Sequence, residues 1–313
     1  MKVTVILFVA IGLCSLSTSV PIVGRGFNAT IGMGDEYIPL AYKTAWYETQ
    51  LDHFNFEVNE SFKVRYLYNE DYFQNTPEKP GPIFVYAGNE GPIQDLWSGS
   101  GFWTNVMTQK HGALLMFLEH RYFGESLPFG KNSTQPQNIQ YLTIEQAMAD
   151  YGVFLGKFKK EKNLENSPVI IFGGSYGGML AAWMRMKYPQ VIDGALASSA
   201  PLLMFQNITS PYSVYEVVSK DFTDAGCGGL FAEGFRELKS LSNRTEYYDV
   251  LTKELNLCAP ITNSDGILGV YQYVKYAMES MAQYDYPYPT TFNGPEPGSP
   301  VTVACERAIQ AVG

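Results

Sequence analysis

The feature that most constrains this 313-residue chain is an alternation of short, unbroken apolar runs with stretches of helical periodicity. Residues 82–87 (PIFVYA), 113–119 (ALLMFLE) and 169–172 (VIIF) are the runs, and 191–197 (VIDGALA) reads as a further strand. A strand that is apolar at nearly every position must be covered on both faces, which is the situation of a strand inside a parallel sheet. Between the runs, residues 102–109 and 177–188 suit helices, and 143–160 is the clearest one. There Ile144, Ala147, Met148, Tyr151, Leu155 and Phe158 fall on one face, and Thr143 and Gln146 have capping-box spacing. The alternation predicts βαβ units and a mainly parallel sheet, an α/β fold. Residues 46–56 and 62–68 add two strands before it, after an irregular lead-in that reaches about residue 43. Beyond Pro201 the apolar runs cease. Residues 216–223, 230–241, 246–255 and 267–283 read as helices, so 20–203 is expected to form the sheet domain and 204–313 a helical one.

The chemistry of the chain centres on Gly173-Gly174-Ser175-Tyr176-Gly177-Gly178. It contains Gly-x-Ser-x-Gly, with an apolar strand before it and a helix after it, the context of a nucleophile elbow. The glycines are needed because side chains there would collide with the crossing strand and helix. The turn lifts the serine hydroxyl into solvent. The backbone N–H of Tyr176, at the positive end of the helix dipole, can then stabilise an oxyanion. The alternative is an ordinary glycine-rich turn with a helix-capping serine. A second oxyanion donor is expected from the loop after the run 82–87, where Gly88-Asn89-Glu90-Gly91 stands.

The N-terminus reads as a secretory signal peptide over residues 1–19: Lys2, an apolar run over 3–13, then Ser17 and Ser19 placed for cleavage. No later run is long enough to span a membrane. Sequons at Asn28, Asn59, Asn132, Asn207 and Asn243 fit an exported glycoprotein, lysosomal or extracellular. Cys14 leaves with the signal peptide, so Cys227, Cys258 and Cys305 remain, an odd number whose pairing is open. Acidic residues outnumber basic ones, 31 to 22, which argues against a nucleic-acid partner. No Cys or His pair has ligand spacing, so no metal site is expected.

Longer motifs make the resemblance specific. Tyr86-Ala87-Gly88-Asn89-Glu90-Gly91, then Glu119-His120-Arg121-Tyr122-Phe123-Gly124-Glu125-Ser126, then the run from Gly173 to Trp183 resemble the lysosomal Pro-X carboxypeptidase family. Dipeptidyl peptidase II and the thymus-specific serine protease belong to the same family. Leu51-Asp52-His53-Phe54-Asn55 and Tyr286-Pro287-Tyr288-Pro289 are similar to further segments of it. The resemblance implies an α/β-hydrolase fold with an inserted helical cap. It implies a serine exopeptidase that cleaves peptides next to proline without a cofactor, and a homodimer. By position, Ser175 would be the nucleophile, Tyr176 an oxyanion donor and Met179 part of the proline pocket. Gly88, Asn89 and Glu90 would lie at the substrate-binding loop.

The family's catalytic Asp and His follow the cap, and no residue here corresponds to them. The three histidines, His53, His111 and His120, all precede Ser175. Asp249, Asp265 and Asp285 suit solvated or helix-capping positions. The chain therefore reads as an incomplete serine peptidase, with closing strands, Asp and His absent and activity poor or nil. Two other readings are a non-catalytic secreted binding protein of the same descent and an esterase on the same fold.

Overall fold

In a computed structural model the described residues are 38–290 and 294–312. The expected signal peptide, Cys14 and Asn28 lie outside them. The described chain forms two compact units, residues 38–203 and 204–312.

The first unit is built on a six-stranded sheet of order β1-β2-β4-β3-β5-β6. Strands β1 (Lys43–Gln50) and β2 (Ser61–Asn69) pair antiparallel, as do β2 and β4 (Leu114–Leu118). From β4 onward all pairings are parallel, through β3 (Ile83–Ala87) and β5 (Val169–Gly174) to β6 (Gly194–Ser198). An antiparallel entry, a parallel body and crossover helices are the plan of an α/β-hydrolase sheet. Strand alternation divides the apolar runs between two layers. Ile83, Val85, Met116 and Ile171 point to one face, where Tyr151, Leu155, Leu180 and Met184 cover them. Phe84, Tyr86, Phe117 and Phe172 point to the other, beneath Ile93 and Trp97. There Tyr86 stacks on Phe117 at 4.7 Å and Trp103 on Phe172 at 3.8 Å between ring centroids.

Helices follow the strands: α1 (Ile93–Ser98), α2 (Thr108–His111), α3 (Ile144–Glu161) and α4 (Tyr176–Lys187). Helix α1 has no counterpart in the sequence reading, and the helix expected over 102–109 begins as a wide π-type helix over Phe102–Met107. The strand expected over 191–197 starts only at Gly194, because Val191 and Ile192 still turn back onto Tyr188. Thr143 does cap α3 by accepting the Gln146 N–H, but the Gln146 side chain does not close the box. It reaches instead to Asp52 and to the backbone N–H of His53.

That diversion belongs to a buried polar network, and the network explains why the first strand stops at Gln50 rather than residue 56. Arg121 is wholly buried and binds both oxygens of Asp150, at 2.7 and 2.8 Å. Its remaining N–H groups donate to the carbonyls of Gln50, Leu51 and Tyr141. Asp150 also accepts from Thr49 at 2.8 Å and from His53 Nε2 at 2.7 Å. The chain after Gln50 has to curl around the guanidinium, which draws its carbonyls out of a strand.

The second unit is helical: α5 (Ser213–Asp224), α6 (Gly228–Ser240), α7 (Tyr248–Glu254), α8 (Ser264–Gln283) and α9 (Pro300–Val312). Asn263 caps α8 by accepting the Gly266 N–H. One core gathers Phe222, Phe231, Met278, Met281 and Ala304, and a second gathers Leu238, Tyr248, Leu251, Val270 and Val274. The odd cysteine count resolves here. Cys227 and Cys305, 78 residues apart, form a disulfide inside the first of these cores, and Cys258 is a free, exposed thiol.

Three outcomes are expected. Asp150→Ala leaves a buried guanidinium without its carboxylate and should cost about 3–5 kcal/mol in urea denaturation. Alkylation without reductant should modify Cys258 and spare Cys227 and Cys305. Cys227→Ser should destabilise the helical unit by about 4.5 kcal/mol, the loop-closure entropy of a crosslink of that span.

Candidate active site

Strand β5 ends at Gly174 and helix α4 begins at Tyr176, so a single residue, Ser175, makes the turn. Its backbone sits at φ 55° and ψ −125°, a conformation that costs a non-glycine residue roughly 1–3 kcal/mol. Neighbouring structure holds it there. The Ser175 N–H donates to the Ser198 carbonyl at 3.0 Å, and the Ser175 carbonyl accepts the Met179 N–H at 3.0 Å. The crossing of strand and helix is so close that a Cβ on Gly173 would lie 2.3 Å from the Gly177 carbonyl oxygen. A Cβ on Gly177 would lie 2.6 Å from the Ala87 carbonyl oxygen and 3.3 Å from Asn89 Oδ1. Ser175 itself is exposed and its side chain makes no capping hydrogen bond, so the structure does not use it as a helix cap.

The contact of Gly177 with Ala87 and Asn89 brings the loop 88–91 beside the turn. That loop is fixed from below. Tyr151 donates its hydroxyl to the Gly88 carbonyl at 3.0 Å, and Tyr86 donates to Asn89 Oδ1 at 3.2 Å. The Gly91 N–H returns to the Asn89 carbonyl at 2.8 Å. Glu90 is exposed, while Met179 is half-buried on the first turn of α4. Ser175, Tyr176, Gly88, Asn89, Glu90 and Met179 therefore lie on two adjoining segments at the carboxyl ends of β3 and β5. Tyr86 and Tyr151, which hold the loop, were not among the expected site residues. Both read as core aromatics, and only their hydroxyls report the second role.

The histidines are placed less helpfully for catalysis. His120 is 1% exposed. Its Nδ1 lies 2.6 Å from the Arg121 carbonyl, which can only accept, so the proton is assigned to Nδ1. Nε2 then carries a lone pair and accepts the Tyr176 hydroxyl at 3.0 Å. Burial lowers the His120 pKa to about 4, against the raising effect of the Arg121 carbonyl. Burial, helped by the Glu90 charge, pushes the Tyr176 phenol up to about 12. His53 is committed to Asp150. His111 ends α2 ahead of β4, at the opposite end of the parallel strands from Ser175. In the helical unit, Asp249 and Asp265 occupy first turns of helices and Asp285 accepts the Val301 N–H. Among the described residues no cluster of His, Cys, Asp or Glu could hold a metal ion.

Of the sequon asparagines, Asn59, Asn132, Asn207 and Asn243 are exposed. No described helix is long and apolar enough to cross a membrane.

The buried His120 has a consequence for stability. Its folded pKa, about 4, lies below the ordinary value of 6.5, so between these values the unfolded chain binds a proton that the folded one refuses. The contribution is therefore complete above pH 6.5 and declines as pH falls towards 4, by about 3 kcal/mol in all. Urea melts at pH 7 and pH 4.5 should show a gap that narrows in His120→Gln.

Comparison with known proteins gives the family. The model of the family Serine carboxypeptidase S28 matches residues 49–312. Lysosomal Pro-X carboxypeptidase of Bos taurus is 37% identical over 273 residues, and that of Homo sapiens 38% identical over 269. These alignments cover 86% and 85% of this chain, and 54% and 53% of the relatives. Prolyl carboxy peptidase like protein 5 of Caenorhabditis elegans is 38% identical over 277 residues, covering 86% of this chain and 54% of its own. The chain thus spans about half the length of the curated relatives it matches. With an α/β-hydrolase sheet, a serine on a strained turn and this similarity across nearly every described residue, the chain belongs to the serine carboxypeptidase S28 family.

Proposed function

We propose that this chain carries the nucleophile half of a serine exopeptidase that cleaves peptides next to proline, through acyl transfer to Ser175. The observation that carries the reading is the exposed Ser175 at φ 55°, with its side chain free of capping and its turn abutting the 88–91 loop. Backbone strain of this kind persists where surrounding structure enforces it for a purpose. In this reading Ser175 Oγ attacks the scissile carbonyl. The Tyr176 N–H and a donor from Gly88, Asn89 or Glu90 take up the oxyanion charge, and Met179 contributes apolar surface for the proline ring. Proline suits such a wall because its ring offers no N–H that would need a partner. The names of the relatives support the proline preference, and the exposed sequons together with the apolar N-terminal run support a secretory or lysosomal route.

The proton that Ser175 must lose has no acceptor among the three histidines. His120 spends its lone pair on Tyr176, His53 is bound to Asp150, and His111 lies at the far end of the sheet. Among the described residues Ser175 and the oxyanion donors therefore have no histidine beside them that is free to act as base. The same observation favours the second reading, a binding protein that keeps the peptide site without turnover.

A fluorophosphonate probe separates them. Ser175 is expected to label slowly, faster when imidazole is added as a soluble base, and not at all in Ser175→Ala. Absence of labelling with imidazole present would leave the binding protein as the better account. With imidazole, and counting only turnover that is lost in Ser175→Ala because imidazole hydrolyses activated esters unaided, a peptide bearing a penultimate proline should be cleaved in preference to a p-nitrophenyl ester. Turnover of the ester alone would replace peptidase by esterase.

A further inference from the structure

The reading of Ser175 as a nucleophile leaves a geometric question. An oxyanion hole needs two donors at a fixed separation, and here they come from different segments: the Ser175–Tyr176 peptide and the loop 88–91. Two consecutive buried residues at the end of β4 reach both. Glu119 is fully buried, and its carboxylate accepts the Ile93 N–H at 3.1 Å, just where the chain leaves the loop and enters α1. The same carboxylate accepts from the Glu125 N–H, the Ser126 hydroxyl and Arg65. It is therefore saturated and cannot drift. His120, the next residue, accepts the Tyr176 hydroxyl. Because Nδ1–H is committed to the Arg121 carbonyl, the imidazole can neither rotate nor change tautomer without losing that bond.

We propose that His120 is a positioning residue for acyl transfer, holding the Tyr176 side chain so that the Tyr176 backbone N–H keeps its distance from the donors of the 88–91 loop. The proposal rests on Ser175 being the nucleophile. It gives a histidine near a serine nucleophile a role other than that of base. The proton of the Tyr176 hydroxyl points towards His120, so the imidazole is an acceptor that stays put rather than one that takes a proton from Ser175. Tyr176 is the first residue of α4, so its side chain is the nearest handle on the peptide that follows the serine.

Three variants test this, with labelling of Ser175 by a fluorophosphonate in imidazole as the rate. Tyr176→Phe removes one hydroxyl and leaves the ring, and His120→Leu removes the acceptor. Each should slow labelling about tenfold, the order expected when a donor is displaced by a fraction of an ångström. His120→Gln keeps an acceptor for Tyr176 and a donor for the Arg121 carbonyl and should restore most of the rate. The double variant His120→Leu/Tyr176→Phe should be no slower than His120→Leu alone, because both act through one bond. Labelling that is unchanged in Tyr176→Phe, or losses that add in the double variant, would overturn the proposal. Should the wild type fail to label at all, the nucleophile reading falls and the positioning is decided separately by NMR. With only three histidines, a 15N-histidine spectrum is simple to assign. His120 should show Nδ1–H and an Nε2 resonance that moves in Tyr176→Phe. The backbone amides of Tyr176 and Asn89 should move in both single variants. Amides that stay in place would dismiss the role whether or not Ser175 reacts.

Discussion

Glu119, His120 and Arg121 leave the end of β4 with at most 1% of their surface exposed, and each reaches a different part of the sheet unit. Glu119 collects Arg65 from β2, the start of α1 and the turn at Glu125 and Ser126. His120 takes Tyr176 from the turn that follows β5. Arg121 takes Asp150 from α3 and three carbonyls from Gln50, Leu51 and Tyr141. Burying three such groups in a row is costly unless every one is satisfied, so none of the elements they hold can shift alone. The positions of the antiparallel entry, the helix α3 and both edges of the candidate site all depend on this run.

The strained turn at Ser175 is the complementary device. Its strain is local, one residue at φ 55°, but the enforcement is distributed. The Ser198 carbonyl on β6 holds the Ser175 N–H, and the close crossing at Gly173 and Gly177 leaves no space for the turn to relax inward. A helix of twelve residues begins at Tyr176, so the positive end of its dipole lies at the Ser175 turn. The site thus has pre-aimed electrostatics, and its neutral, buried His120 contributes orientation rather than charge.

Much of this was legible in the sequence. The runs at 83–87, 114–118 and 169–174 are apolar at nearly every position because both sheet faces are covered, and periodicity reads that directly. The Ser175 turn was legible for a local reason too, since only a strand, a glycine-flanked serine and a helix satisfy its sterics. Polar residues behaved differently. Gln146 has the spacing of a capping-box partner and spends its side chain on Asp52 and His53, which are more than ninety residues away in sequence. The end of β1 at Gln50 escapes the sequence pattern for the same reason, because the aromatic pattern continues while Arg121 pulls the backbone out of the ladder. Cys227 and Cys305 could not be told from Cys258 by spacing, since pairing depends on which helices face each other.

The sequence by itself determined the sheet, its longer crossover helices, the helical second unit and the serine turn that makes Ser175 the candidate nucleophile. These rest on patterns of burial and backbone sterics repeated over a few residues. Only the tertiary structure decided what the polar side chains do. It made His120 a neutral acceptor for Tyr176, His53 a partner of Asp150, and Tyr86 and Tyr151 anchors of the 88–91 loop. A hydrogen bond in the interior is set by which distant segments meet, and local pattern carries no record of that meeting.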